Sequence, residues 1–135
     1  MVVELDETLY PNVEDVLMSF LSSIEETDTE PPIEDDGIGI EIHRVGGSDD
    51  GITDYPRVSV TCHHPDPRGA SKLARRVQQR MLNIAGIDIE VDDEPKPVCV
   101  DFCRTDTPPE SEPYENPDQR REIAYYVLGL QRPRS

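Results

Sequence analysis

The stretch Pro56 to Ile84, PRVSVTCHHPDPRGASKLARRVQQRMLNI, leaves the chain few ways to fold. Its first part alternates: Val58, Val60 and Cys62 are apolar, while Arg57, Ser59, Thr61 and His63 take the other parity. Period two predicts a strand that buries one face. Pro65 and Pro67 then forbid a continuing ladder and predict a turn. From Gly69 the period becomes 3.6, with Ala70, Leu73, Ala74, Val77, Met81 and Ile84 in one stripe. Arg68, Lys72, Arg75, Arg76 and Arg80 fall opposite it. Such a helix lies apolar side down on a sheet and turns a basic back outward.

The rest of the chain supplies partners for this unit. Asn12 is a fitting N-cap for a helix whose stripe is Val13, Val16, Leu17, Phe20, Leu21 and Ile24, ending near Glu25. Glu14 and Asp15 suit the positive end of its dipole. Ile38, Ile40 and Ile42 alternate as a strand, joined to the Arg57 strand by the glycine-rich connection VGGSDDGITDYP. An antiparallel hairpin with a long, flexible tip is expected. Gly86 is the expected C-cap of the second helix. Ile87, Ile89 and Val91 predict a third strand. Val98, Val100 and Phe102, set against Cys99, Asp101 and Cys103, predict a fourth. Residues 1–10 are expected to form a flexible arm. Residues 104–119, acidic and with four prolines, are expected to form a long loop. Every one of the 13 prolines is expected outside the elements or at their ends.

The last segment differs from the others. Ile123, Tyr125 and Val127 share one parity, and Ala124, Tyr126, Leu128 and Leu130 the other. A strand apolar on both faces is either central in a covered sheet or buried by a second chain. The expected class is α+β, a mostly antiparallel single-layer sheet of about five strands with two helices on one face, in the order α-β-β-α-β-β-β.

At 135 residues the chain suits one domain, residues 1–135. No apolar run reaches the roughly 20 residues that span a bilayer, so no membrane partner is expected. MVVELDETLY lacks a basic n-region, so no signal peptide is expected either. The formal charge of −16 is uneven: residues 1–54 carry 16 acids and one base, residues 55–135 carry 13 acids and 12 bases. A net field of that sign repels DNA phosphates. Either it only keeps the protein in solution, or acidic and basic halves of different copies meet.

Chemistry is hard to place on this chain. Cys62-His63-His64, with His43, Cys99 and Cys103, is the one candidate metal cluster. Zinc ligands come in close pairs, yet residues 99 and 103 on a strand are about 13 Å apart by strand rise. Cys62 and His63 point to opposite faces. A core cysteine, surface histidines and thiols on the open face of the sheet are expected instead, with no metal and no cofactor. The acid pairs Asp35-Asp36, Asp49-Asp50 and Asp92-Asp93 lie in acidic loops, and no motif for nucleophilic or phosphate chemistry occurs. An enzyme is not expected. The basic back of the second helix holds five of the chain's 13 bases, and the acidic half of a second copy is its natural partner.

Taken in order, LYPNVEDVLMSFL, IHRVGG, DYPRVSVTCHHPDPRGASKLARRVQQRML and PDQRREIAYYVLGLQR resemble the tail terminator proteins of long-tailed phages, especially those of actinobacteria. The resemblance runs from about Leu9 to Arg132. It rests on the ordered set: opening helix, R-x-G-G loop, P-R-x-x-V strand, alanine/arginine helix and a closing strand that ends in arginine. Cys62-His63-His64, in place of an aromatic or small polar residue, departs from the pattern, as does the acidity of the loop before the last strand. The resemblance implies a homo-oligomer, a hexameric ring that caps the tail tube, stops its growth and meets the head-side connector or stopper protein. It implies a place in the virion at the head–tail junction, assembly in the bacterial cytoplasm, and passage of DNA through the lumen without specific binding. Partners would be identical copies and the major tail tube protein. Candidate subunit-interface residues are Arg68, Lys72, Arg75, Arg76, Arg80, Ile123, Tyr125 and Val127. Two other readings are a head-completion or stopper protein one layer up, and an acidic DNA mimic that inhibits a nucleic-acid enzyme.

Overall fold

The computed structural model describes residues 8–32, 37–112 and 120–132. The elements run α1 (Val13–Leu21), β1 (Thr27–Asp28), β2 (Gly39–Asp49), β3 (Thr53–His64), α2 (Pro67–Leu82), β4 (Asp88–Ile89), β5 (Val98–Glu112) and β6 (Arg120–Gln131). They build an α+β fold around one sheet ordered β1-β2-β3-β6-β5-β4. The sheet has six strands rather than about five, and it is mixed: β1 pairs with β2 in parallel. β6 is central, one of the two alternatives that its two apolar parities left open, and runs antiparallel to both β3 and β5.

Core packing follows the stripes. Val13, Val16, Leu17 and Leu21 of α1, Leu73, Ala74, Val77 and Met81 of α2, and Ile40, Ile42, Val58, Val60, Cys62, Ala124, Tyr126, Leu128 and Leu130 of the sheet form one buried cluster. Both helices therefore share one face of the sheet. Each fully buried Val, Leu or Ile contributes about 1.5–3 kcal/mol relative to exposure. The caps are local. Asn12 accepts from the amides of Glu14 and Asp15 at 2.9 and 3.3 Å. Asp66 caps α2, and Pro67 is its first helical residue, where no amide hydrogen is needed. The helix thus begins two residues before Gly69, and it ends at Leu82 with Asn83 as cap, not at Gly86.

Several expectations failed for one reason, the ability of bulges to absorb irregular residues. Pro56 lies inside β3 and Pro108-Pro109 inside β5. The β3–β6 ladder is unpaired between Asp54 and Arg57, and the β5–β6 register shifts between Thr107 and Glu110, so the missing amides fall at irregularities in the ladders to β6. Residues 104–112 are accordingly strand rather than loop, and 113–119 lie outside the described residues. A further shift between Val100 and Phe102 exchanges the faces: Cys103 packs on the core, while Phe102 meets Tyr55 with ring centroids 6.1 Å apart. The third predicted strand shrinks to Asp88–Ile89, leaving Ile87 exposed.

The glycine-rich connection is no long loop either. β2 and β3 remain paired out to Asp49 and Asp54, and the tip is only Asp50, Gly51 and Ile52. Gly47, at φ +114, lies opposite Pro56, and any Cβ there would collide with the Tyr55 carbonyl. The hairpin is locked by a bidentate pair from Arg44 to the buried Asp54 carboxylate, at 2.7 and 2.8 Å. Of the predicted arm, residues 1–7 lie outside the described residues, while Tyr10 donates to Asp49 at 3.5 Å and carries the Arg132 guanidinium on its ring.

The Tyr126 hydroxyl is buried without a hydrogen-bond partner among the described residues, and burial pushes its pKa up. Tyr126→Phe is therefore expected to leave stability unchanged or raise it by about 1 kcal/mol. Leu128→Ala is expected to cost about 2–5 kcal/mol. Urea unfolding of the two variants checks both.

Candidate assembly surfaces

Two surfaces carry the residues singled out by sequence, and the sheet separates them. The first is the outward side of α2. Arg68, Lys72, Arg75 and Arg76 are exposed there because the apolar stripe holds the opposite side against β3, β5 and β6. Arg80 belongs elsewhere. It is half-buried, donates to Ser23 Oγ at 2.9 Å and lies 5.8 Å from the Phe20 ring centroid, so it ties α2 to the end of α1. Near Arg75 on the sheet is Glu122, whose pKa burial raises and the charge of Arg75 partly lowers again.

The second surface is the face of the sheet away from the helices. Ile123, Tyr125 and Val127 of β6 are half-buried on it. Arg57 of β3 lies over the Tyr125 ring at 4.2 Å from the centroid, and its Nε donates to Asp106 of β5 at 2.9 Å. Three strands thus contribute to one ordered cation–π and ion-pair arrangement. Beside it a cleft of about 560 Å³ is lined by Gly47, Tyr55, Arg57, Phe102, Arg104 and Val127 among others. Ser59 and Thr61 are buried on this open face although polar. In the strand register they lie between longer neighbours, Ser59 between His43 and Tyr125, and Thr61 between Glu41 and Ile123.

The histidines take structural positions. His43 and His63 both meet the Glu41 carboxylate through Nε2, at 2.7 and 2.8 Å, and His63 is buried rather than on the surface. Burial alone would raise the pKa of Glu41. Hydrogen bonds from His43 and His63, together with their charge, outweigh it and bring the value below the usual glutamate range. His64 accepts from the Asp66 amide at 3.0 Å and lays its ring on Gly69. Burial pushes the thiols of Cys62 and Cys103 up to about 12, which keeps both protonated and inert. Cys99 is exposed. Among the described residues no group of three or more His, Cys, Asp or Glu side chains is placed to hold a metal ion.

Sequence reasoning missed the Arg57–Tyr125–Asp106 and Glu41–His43–His63 arrangements. Each joins residues of different strands, and only the register brings them together. No protein-family model matches the sequence, and no curated protein matches it. Among solved structures, a chain in the virion of a native gene transfer agent particle has a similar fold. The TM-score is 0.55 at 14% identity, covering 87% of this chain and 86% of that one. At this identity the likeness concerns the fold.

Because the folded pKa of Glu41 lies below the unfolded one, its contribution is complete above about pH 4.5 and is lost as pH falls through the folded value. Glu41→Gln is expected to cost about 1 kcal/mol at pH 7 and to flatten the acid limb of stability. Urea titrations from pH 7 to pH 3 test this. A variant as acid-sensitive as the parent would reject the role given to Glu41.

Proposed function

We propose that this chain is a structural protein of a phage-like virion, a tail terminator whose copies close into a hexameric ring on the tail tube. The observation that carries the reading is the fold shared, over nearly the whole length, with a chain of a gene transfer agent virion. The ordered motifs from Leu9 to Arg132 narrow it to the terminator. In this reading the ring ends tube growth, contacts the major tail tube protein on one side and the head connector on the other, and lets DNA through a lumen lined by acidic residues. Phosphates find no cations to neutralise them on such a wall.

The physics of ring closure supports it. A closed ring needs two different patches on each copy, related by a rotation. The basic back of α2 and the open sheet face lie on opposite sides of the sheet. The charge imbalance between residues 1–54 and 55–135 supplies orientation and register more than affinity. A stable contact buries roughly 800 Å² per partner, and the half-buried Ile123, Tyr125 and Val127 add apolar area to it. The four exposed cations of α2 speak against a DNA mimic, whose surface would present acids alone.

Electron microscopy of the purified protein is expected to show rings. Arg75→Glu with Arg76→Glu is expected to shift the protein toward single copies by at least tenfold in association constant, with an unchanged circular dichroism spectrum. Sedimentation velocity measures the first, and an unaltered oligomer would count against this surface.

A further inference from the structure

The two ends of the β2–β3 hairpin differ in a complementary way. At one end the tip presents Ile52, 70% exposed, next to Asp49 and Asp50. This tip is stiff. Asp50 Oδ1 accepts from the amides of Ile52 and Thr53 at 2.9 and 2.7 Å, and its Oδ2 accepts from the Tyr55 hydroxyl at 3.2 Å. Asp49 accepts from the Gly51 amide at 3.0 Å. An aliphatic side chain is therefore held out in water on a loop that has little conformational freedom left to lose.

At the other end, where β3 gives way to α2, a groove of about 190 Å³ opens between the helix and the start of β2. Its apolar lining is Ile38, Gly69 and Leu73. Among the described residues its rim carries His64, Lys72 and Arg76, with Glu25 as the one acid. Neither the Lys72 nor the Arg76 side chain has a hydrogen bond or ion pair among the described residues. At about 190 Å³ the groove has room for a branched aliphatic side chain, and the charge of its described lining is opposite to that around Ile52.

The tip cannot fill the groove of its own copy. Thr53 and His64 are eleven strand steps apart, about 36 Å at the usual rise. We infer that the Asp49–Ile52 tip of one copy docks in the Ile38–Leu73 groove of a second copy, Ile52 entering the pocket while Asp49 and Asp50 meet Lys72 and Arg76. The contact is head-to-tail, so each copy uses both ends, and repeated rotation either closes a ring or runs on as a filament. Pre-ordering of the tip lowers the entropy cost of docking, and the charge pairs fix the direction of approach. The inference rests on the ring reading above and names the contact that builds the ring.

Ile52→Cys and Lys72→Cys, each in a Cys99→Ser background, are purified separately, mixed and treated with a short bismaleimide. Cys62 and Cys103, protonated up to about pH 12, stay silent. Covalent pairs are expected in the mixture and not in either variant alone. Ile52→Ser, exposed and outside the core, is expected to weaken self-association at least tenfold without changing the circular dichroism spectrum. Should the parent form rings while the mixture yields no covalent pairs and Ile52→Ser assembles normally, this contact is overturned and the ring stands. A parent that stays a single copy at every concentration overturns both.

Discussion

The fold depends on β6 being inserted between β3 and β5. Ala124, Tyr126, Leu128 and Leu130 form the middle of the core face, and both neighbouring ladders run along nearly the whole strand. Without β6 the sheet would be two separate pieces, the β1-β2-β3 hairpin group and β5 with β4. Val58 and Tyr126 are register partners 68 positions apart in sequence. The loop-closure cost of that pairing is met before either helix finds a complete floor. Non-local pairing of this kind slows folding, although α1 and α2 are local elements with good caps.

Much of this plan was legible in the chain. A stripe such as Val13, Val16, Leu17 and Leu21 has one simple solution, and the alternation of Val58, Val60 and Cys62 has another. The double parity of residues 123–130 marked a strand with two faces to cover, and left open whether the sheet or a second chain covers them. What escaped the reading had no periodic signal. β1 is Thr27 and Asp28, two polar residues that become a strand only because the chain passes beside Ile40 and Glu41. Residues 104–112 contain two prolines and alternate poorly, yet they pair with β6 through two register shifts. Cys103 was assigned to the wrong face because a bulge after Val100 reverses parity, and periodicity counts have no means of anticipating an extra residue.

The surfaces were legible to a lesser degree. Helical spacing alone placed Arg68, Lys72, Arg75 and Arg76 outward. It placed Arg80 there too, although the end of α1 and the turn after it bring Phe20 and Ser23 within its reach. A sequence pattern states which side of an element a residue occupies, but not what a neighbouring element will lay against it. The same holds for Glu41, which looked like one acid among 29 and proves to hold two histidines.

The consecutive prolines of β5 carry one more implication. Beyond Val100 this strand has β6 on one side and no described strand on the other. Pro108 and Pro109 supply no amide hydrogen to either side of the strand. The bulge absorbs the loss toward β6. On the outer side it leaves a gap in the rail along which a foreign strand would zip. Sheet extension along this edge by any neighbouring chain is thereby disfavoured.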